Sequence, residues 1–243
     1  STQIRGLNVA ARNANDGISL AQTAEGALAE IGNNLQRIRE LAVQSSNATN
    51  SASDREALDA EVQQLISEIQ RVASQTEFNG TKLLDGSFTG QAFQVGANAG
   101  QLITVSEITN AQSAALGASN FAADVAGGAV TDAAISGLTI NGVTIEDVAA
   151  QGSVASTAAA LSSAINKKVD ESGVYAVVNG SNGVTLQSLK ADTDTVVGGT
   201  VTNSGLTAAT TAATTASQVD DVDITTFAGA QKAIAIMDSA LTD

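Results

Sequence analysis

Apolar residues recur every seven positions from the start of the chain: Leu7, Ala14, Ala21, Leu28, Leu35 and Ala42. A companion row of Ile4, Ala11 and Ile18 steps over to Ile31 and Ile38. A seven-residue repeat slips slightly against 3.6 residues per turn, so a one-position shift of this kind is what a nearly straight α-helix needs. The pattern predicts a helix from Thr2 to about Gln44, a rod of roughly 65 Å at a rise of about 1.5 Å per residue. The polar run Ser45 to Ser51 breaks it with residues that prefer turns and caps. A second helix is expected to open with a capping box, Ser53-Asp54-Arg55-Glu56, and to carry the stripe Leu58, Val62, Leu65, Ile69, Val72. Near the C-terminus Phe227, Ala230, Ile234, Met237 and Leu241 repeat that spacing, with Asp223 and Thr225 or Thr226 as candidate caps. No one of these stripes is buried by its own helix, so the first, second and last segments are expected to lie side by side. The first stripe starts in mid-pattern and the last is still running at Asp243, which predicts a chain trimmed at both ends.

Between the helices the period drops toward two. Phe78-Asn79-Gly80 reads as a turn, and Lys82–Leu84, Phe88, Phe93–Val95 and Leu102–Val105 read as short strands separated by glycines. From about Ala111 to Val130 the residues are small and suggest a connector. Gly137 to Leu189 is better organised. Leu138-Thr139-Ile140 and Val143-Thr144-Ile145 flank Asn141-Gly142, a strong hairpin signal. A helix is expected from about Ser153 to Val169, and then a second hairpin around Asn179-Gly180, giving a ββαββ unit with one small core. Thr200 to Ser217 has no pattern and reads as a flexible or glycan-accepting return strand. The expected fold class is α+β: an elongated antiparallel helical bundle, a coiled-coil-like rod, with a small inserted outer domain of ββαββ type. Residues 1–110 would form the N-terminal part of the rod, 111–218 the β-rich outer domain and 219–243 the returning helix.

Composition narrows the function. The chain has neither Cys nor His, which removes thiolate chemistry, the commonest metal ligand and every imidazole-dependent triad. With 11 basic against 25 acidic residues the net charge is −14, which argues against nucleic acid or an anionic membrane as the main partner. No run of about 18 apolar residues is present to insert into a bilayer. No enzyme, cofactor or metal is expected. Asp192/Asp194 and Asp220/Asp221/Asp223 lack the final Glu of a calcium loop and read as solvated acidic turns. The chain opens Ser1-Thr2-Gln3 with no basic-then-apolar leader, so a cytoplasmic protein, a signal outside the sequence or an export route that cleaves nothing would all fit. All six arginines precede Gln75, whereas Gly86 onward carries four basic against fourteen acidic residues. Interfaces favour Arg, so the first third is the expected contact region.

The stretch from Gly6-Leu7-Asn8 through Asn13-Ala14-Asn15-Asp16-Gly17 to Gly26-Ala27-Leu28 resembles bacterial flagellin just inside its N-terminal region. So do Leu35-Gln36-Arg37-Ile38-Arg39-Glu40-Leu41, Phe78-Asn79-Gly80, Leu83-Leu84-Asp85-Gly86 and Phe93-Gln94-Val95-Gly96. Asp223-Ile224 with Ala228-Gly229-Ala230-Gln231 is similar to the start of the returning flagellin helix. Ile140-Asn141-Gly142 and Ala164-Ile165-Asn166 are similar to a β-rich insert of flagellin outer domains.

The resemblance implies a structural subunit of the flagellar filament, on the outside of the bacterium, exported by the flagellar type III system. It implies other flagellin subunits, an export chaperone and the filament cap as partners. In the family this part of the rod is both a filament contact and the epitope of the flagellin-sensing Toll-like receptor of animal hosts. The matching positions here are Leu35, Gln36, Arg37, Arg39, Glu40 and Leu41, with Glu68 beside them on the second helix. The resemblance also implies inner-tube helices that this sequence lacks, and so a subunit that folds without polymerising. The alternative reading of Arg37, Arg39 and Glu40 is a solvated face with pairs such as Gln36–Glu40. A second function class, a surface adhesin or carbohydrate-binding protein on the same scaffold, would need aromatic platforms, and Tyr175 is the only Tyr.

Overall fold

A computed structural model describes residues 2–243. Its helices are α1 (Thr2–Ser45), α2 (Ala52–Gln75), α3 (Val154–Asn166), α4 (Val169–Ser172) and α5 (Phe227–Ala240). The long first helix is present as the heptad pattern predicts. The turn after it is closed by Arg55, whose guanidinium donates to the Ser45 carbonyl at 2.9 Å and the Asn47 carbonyl at 3.2 Å. The capping box of α2 sits two residues before the expected one, because the Asp54 carboxylate takes the part expected of Glu56. Ser51 Oγ accepts from Asp54 N–H at 3.2 Å and Asp54 accepts from Ser51 N–H at 2.9 Å.

Helices α1, α2 and α5 share one core. It contains Leu20, Ala24, Ile31, Leu35, Ile38, Leu41 and Ala42 of α1, Val62, Ile66, Ile69 and Val72 of α2, and Ala230, Ala233, Ile236 and Met237 of α5. The three stripes therefore meet, with two shifts of phase. On α5 the buried face is the Ala-rich one, while Ile234 is half-covered and Leu241 is exposed. Small side chains let the last helix lie close against the bundle, and a Cβ added at Gly117 would stand 2.6 Å from the Ile236 carbonyl oxygen. On α1 the heptad row is buried only toward its C-terminal end. Ile4, Leu7 and Ile18 are 60%, 56% and 55% exposed, because α2 and α5 are shorter than α1 and cover only its second half.

The remaining contacts between the chain's two ends are polar. Ser45 Oγ donates to the Ile224 carbonyl at 2.6 Å, Asp59 accepts from Ile224 N–H at 2.9 Å, and Gln63 donates to the Val222 carbonyl at 2.8 Å. Buried backbone groups in the returning segment thus find partners on both rods. Thr226 is the helix cap: its hydroxyl accepts from Gly229 N–H at 3.0 Å.

Beside the bundle, β1 (Glu77–Phe78) and β2 (Thr81–Lys82) form a hairpin whose Asn79-Gly80 turn has φ of 49° and 79°. Asn-Gly suits a turn in which both central residues have positive φ. The expected strand Lys82–Leu84 ends at Lys82, because Leu83 and Leu84 leave the ladder to plug the bundle core. Strands β3 (Gln91–Gln94) and β4 (Leu102–Val105) pair antiparallel and lie over the first half of α1, where a Cβ on Gly17 would touch the Phe93 ring at 3.2 Å.

The outer unit holds β5 (Ser119–Ala122), β6 (Val125–Ala126), β7 (Leu138–Ile140), β8 (Val143–Thr144), β9 (Val174–Val178), β10 (Val184–Ser188), β11 (Thr195–Gly199), β12 (Ala209–Thr211) and β13 (Ala213–Ser217). Two expectations are corrected here. Residues 111–130 are no mere connector: β5 pairs with β13, and Phe121 is fully buried, an anchor among residues too small to show a period. The return strand expected in the Thr-rich tract is present, as two strands, β12 and β13, but the tract also reaches a core, with Leu206 and Ser204 buried.

The ββαββ order holds along the chain, but its hairpins belong to different antiparallel sheets, β12-β11-β7-β8 and β6-β10-β9. Both sheets contribute to one second core with α3, formed by Ile140, Leu138, Ile145, Leu161, Ile165, Val174, Leu186 and Val197 among others. The Asn141-Gly142 turn is as predicted, with φ of 50° and 77°. The second hairpin instead closes through a longer loop, Asn179 to Gly183, with positive φ at Asn182. The Asn179 side chain accepts from Ser181 and Gly183 N–H at 3.0 Å each.

Ile69 is fully buried at the seam while Leu28 is partly exposed. Ile69→Ala should therefore cost about 2–5 kcal/mol in urea unfolding, the usual range for core truncation, and Leu28→Ala distinctly less. Equal losses would mean that the seam lies elsewhere.

Candidate functional site

The seven candidate residues divide into three groups by their place on α1 and α2. Leu35 and Leu41 are buried in the bundle core, so neither meets a partner directly; they set the distance between the rods. Gln36, Arg37 and Glu40 are exposed. Arg37 Nε donates to Glu61 Oε1 of α2 at 2.9 Å and its Nη1 donates to Glu40 Oε2 at 3.1 Å. Glu68 sits further along the same seam and accepts from Arg71 Nε at 2.8 Å. Arg39 points the other way and pairs with Asp238 of α5 at 2.6 Å. The pairing expected within α1, Gln36 with Glu40, is replaced by Arg37 with Glu40.

The site is thus a strip of alternating charge along the α1–α2 seam, with Arg39 on the opposite seam. These pairs hold their groups in the charged form. Hydrogen bonds donated to Glu40 and Glu61 raise the Arg37 pKa, one donated to Asp238 raises that of Arg39, and the bond from Arg71 holds the Glu68 carboxyl below its ordinary range. Sequence reasoning missed Glu61 and Asp238. Glu61 was within reach of it: Arg37 and Glu61 are equally distant from the turn at Thr49, so an antiparallel hairpin puts them opposite each other. Asp238 had no such signal, because nothing local fixes the register of α5.

Among the described residues no group of three or more His, Cys, Asp or Glu could hold a metal ion. None of the described helices is long and apolar enough to cross a membrane. A cleft of about 260 Å³ at the start of α5 is lined by Gln187, Ser217, Asp221, Asp223, Thr226 and Lys232. Nearby the Tyr175 ring packs on Phe227, with centroids 4.8 Å apart and planes at 47°. The only Tyr therefore ties the outer unit to α5 rather than forming an open platform.

Fold and surface together describe a helical rod with a β-rich excursion and a charged flank. Residues 1–89 match the bacterial flagellin N-terminal helical region. The chain is 37% identical over 249 residues to flagellin B of Vibrio cholerae, with 99% of this chain aligned. It is 58% identical over 117 residues to the B-type flagellin of Pseudomonas aeruginosa, with 48% of this chain aligned. The solved structure of FliC from Burkholderia pseudomallei superposes with a TM-score of 0.55 at 26% identity, covering 93% of each chain. The chain belongs to the flagellin family. It spans 65% of the length of the Vibrio cholerae relative.

Glu68 owes its depressed pKa to Arg71, so its contribution to stability is present above the ordinary glutamate value of 4.5 and is lost as pH falls through the lower folded value. The pairs are exposed and screened, and such pairs stabilise little. Arg37→Ala and Arg39→Ala should leave the circular dichroism spectrum intact and shift Tm only slightly at physiological salt. A large drop in Tm would show that these pairs hold the rods together.

Proposed function

We propose that this protein is a structural subunit of the bacterial flagellar filament, assembling through its helical rod and presenting the β-rich unit, residues 111–218, outward. The observation that carries the reading is the first half of α1, which no other helix covers and on which the short β3–β4 hairpin leaves large apolar side chains exposed. Its apolar row continues past the ends of α2 and α5, and Ile4, Leu7 and Ile18 stand in solvent on a helix whose other half is buried. A stripe of that kind on a long helix is a surface for packing against another helix. Membership in the flagellin family supplies the partner, further flagellin subunits outside the cell, delivered by the flagellar export machinery with its chaperone and cap. The test is electron microscopy and a swimming assay of a flagellin-deleted bacterium that expresses the gene for this protein. Ile4→Asp with Leu7→Asp should abolish filaments and swimming while the subunit is still exported. Filaments formed as readily by this variant would overturn the reading.

The charged strip serves a second partner, the flagellin-sensing Toll-like receptor. Gln36, Arg37, Glu40 and Glu68 make the contact, and Leu35 and Leu41 support it from below. Arg39 belongs to the filament contact on the opposite seam. Arg37→Ala should lower signalling in receptor reporter cells without loss of fold. Unchanged signalling would take Arg37 out of the contact.

A further inference from the structure

Strand β9 is the outer strand of its sheet, and its register with β10 decides which of its backbone groups face away. On either side of it, Leu189 N–H donates to the Gly173 carbonyl and Asn179 N–H to the Gly183 carbonyl, both at 2.9 Å. Bonding alternates along an antiparallel pair. Tyr175 and Val177 therefore bond toward β10, while Val174, Ala176 and Val178 turn their N–H and C=O groups outward. These are the groups that a further strand would pair with.

Two of the three positions are already filled by side chains. Asn166, the last residue of α3, accepts from Ala176 N–H through Oδ1 at 2.7 Å and donates through Nδ2 to the Ala176 carbonyl at 2.9 Å. Ser162, one turn earlier, donates to the same carbonyl at 2.8 Å, and the Ser172 hydroxyl accepts from Val174 N–H at 3.2 Å. At Val178 the outward groups have no partner among the described residues, and Val177 and Val178 are exposed. The other Ile-Asn pair is used alike. Ile140 is buried in the same core as Ile165, and Asn141 accepts from Val196 N–H at 2.7 Å and donates to the Ser172 carbonyl at 2.8 Å.

A carboxamide carries a donor and an acceptor in one plane, as a peptide group does, so it satisfies both backbone groups of a strand residue at once. Strand β9 needs such a cover. Its sequence, Val174-Tyr175-Ala176-Val177-Val178, is β-branched and aromatic, and holds none of the charges or prolines that usually defend an edge. We propose that Asn166, with Ser162 and Ser172, is a built-in strand mimic that holds the β9 edge closed to pairing with the β9 edge of a second copy of this chain. Two copies meeting antiparallel would present the same uncharged edge to each other.

The test compares the parent chain, Asn166→Ala and the core variant Leu161→Ala by sedimentation velocity at rising concentration, with hydrogen exchange read at Ala176 and Val178. Asn166→Ala should self-associate at concentrations where the parent and Leu161→Ala do not, with slower exchange at both amides on association. Adding Val178→Lys should reverse this, since a charge on the edge repels a second strand. The proposal is overturned if Asn166→Ala associates no more readily than the parent, or if its association survives Val178→Lys. Should Asn166→Ala not fold, Asn166→Ser, which is neutral and too short to reach both Ala176 backbone groups, is read in the same way.

Discussion

Burial of the second half of α1 is the interaction on which the other features depend. A single amphipathic helix of 44 residues has no means of hiding its own stripe. The cover comes from α2, next in sequence, and from α5, nearly two hundred residues away. Because both chain ends are committed to one bundle, everything between them must leave and return at nearly the same place. The β5–β13 ribbon is that passage, with the outgoing and incoming strands paired side by side. Val222 and Ile224 are buried where the return meets both rods, and Ser45, Asp59 and Gln63 satisfy the backbone there.

The distribution of arginines follows from the same arrangement. Arg55 closes the turn, Arg37 reaches from α1 to α2, Arg39 reaches from α1 to α5, and Arg71 is held by Glu68 within α2. Four of the six thus bond to other parts of the bundle's surface, two of them across its seams. Arg5 and Arg12 lie exposed on the half of α1 that the other helices leave uncovered. The charged strip and the apolar strip occupy different lengths of one helix, so a single rod offers two chemically distinct surfaces.

The outer unit solves a different problem, a core built of aliphatic side chains with no aromatic residue among them. Thin layers gain little per residue, so backbones must approach closely and polar edges must be satisfied. Gly128, Gly183 and Gly205 show the first requirement: a Cβ on either of the last two would collide with the Gly128 carbonyl, and Gly205 has φ of 70°. The Ile-Asn pairs show the second, with Ile140 and Ile165 in the core and the neighbouring amides on strand backbone.

Periodicity determined the three long helices and the Asn-Gly dipeptide the Asn141-Gly142 hairpin, because each rests on a stripe that needs a neighbour or on contacts within a few residues; the cap of the last helix was narrowed to Asp223, Thr225 or Thr226, and the structure chose Thr226. The absence of His and Cys settled in advance which chemistries were closed. Tertiary structure decided the rest. It chose which half of the α1 stripe is covered, since that depends on the lengths and register of distant helices. Leu35 lay in the predicted stripe, but that Leu41 joins it, with Arg37 turned to α2 and Arg39 to α5, was decided by how the three helices meet. The structure placed the α2 cap at Ser51, where the Asp54 carboxylate closes the box. It also made strands of Ser119–Ala122 and Ala213–Ser217, whose small residues show no pattern until they are paired with each other.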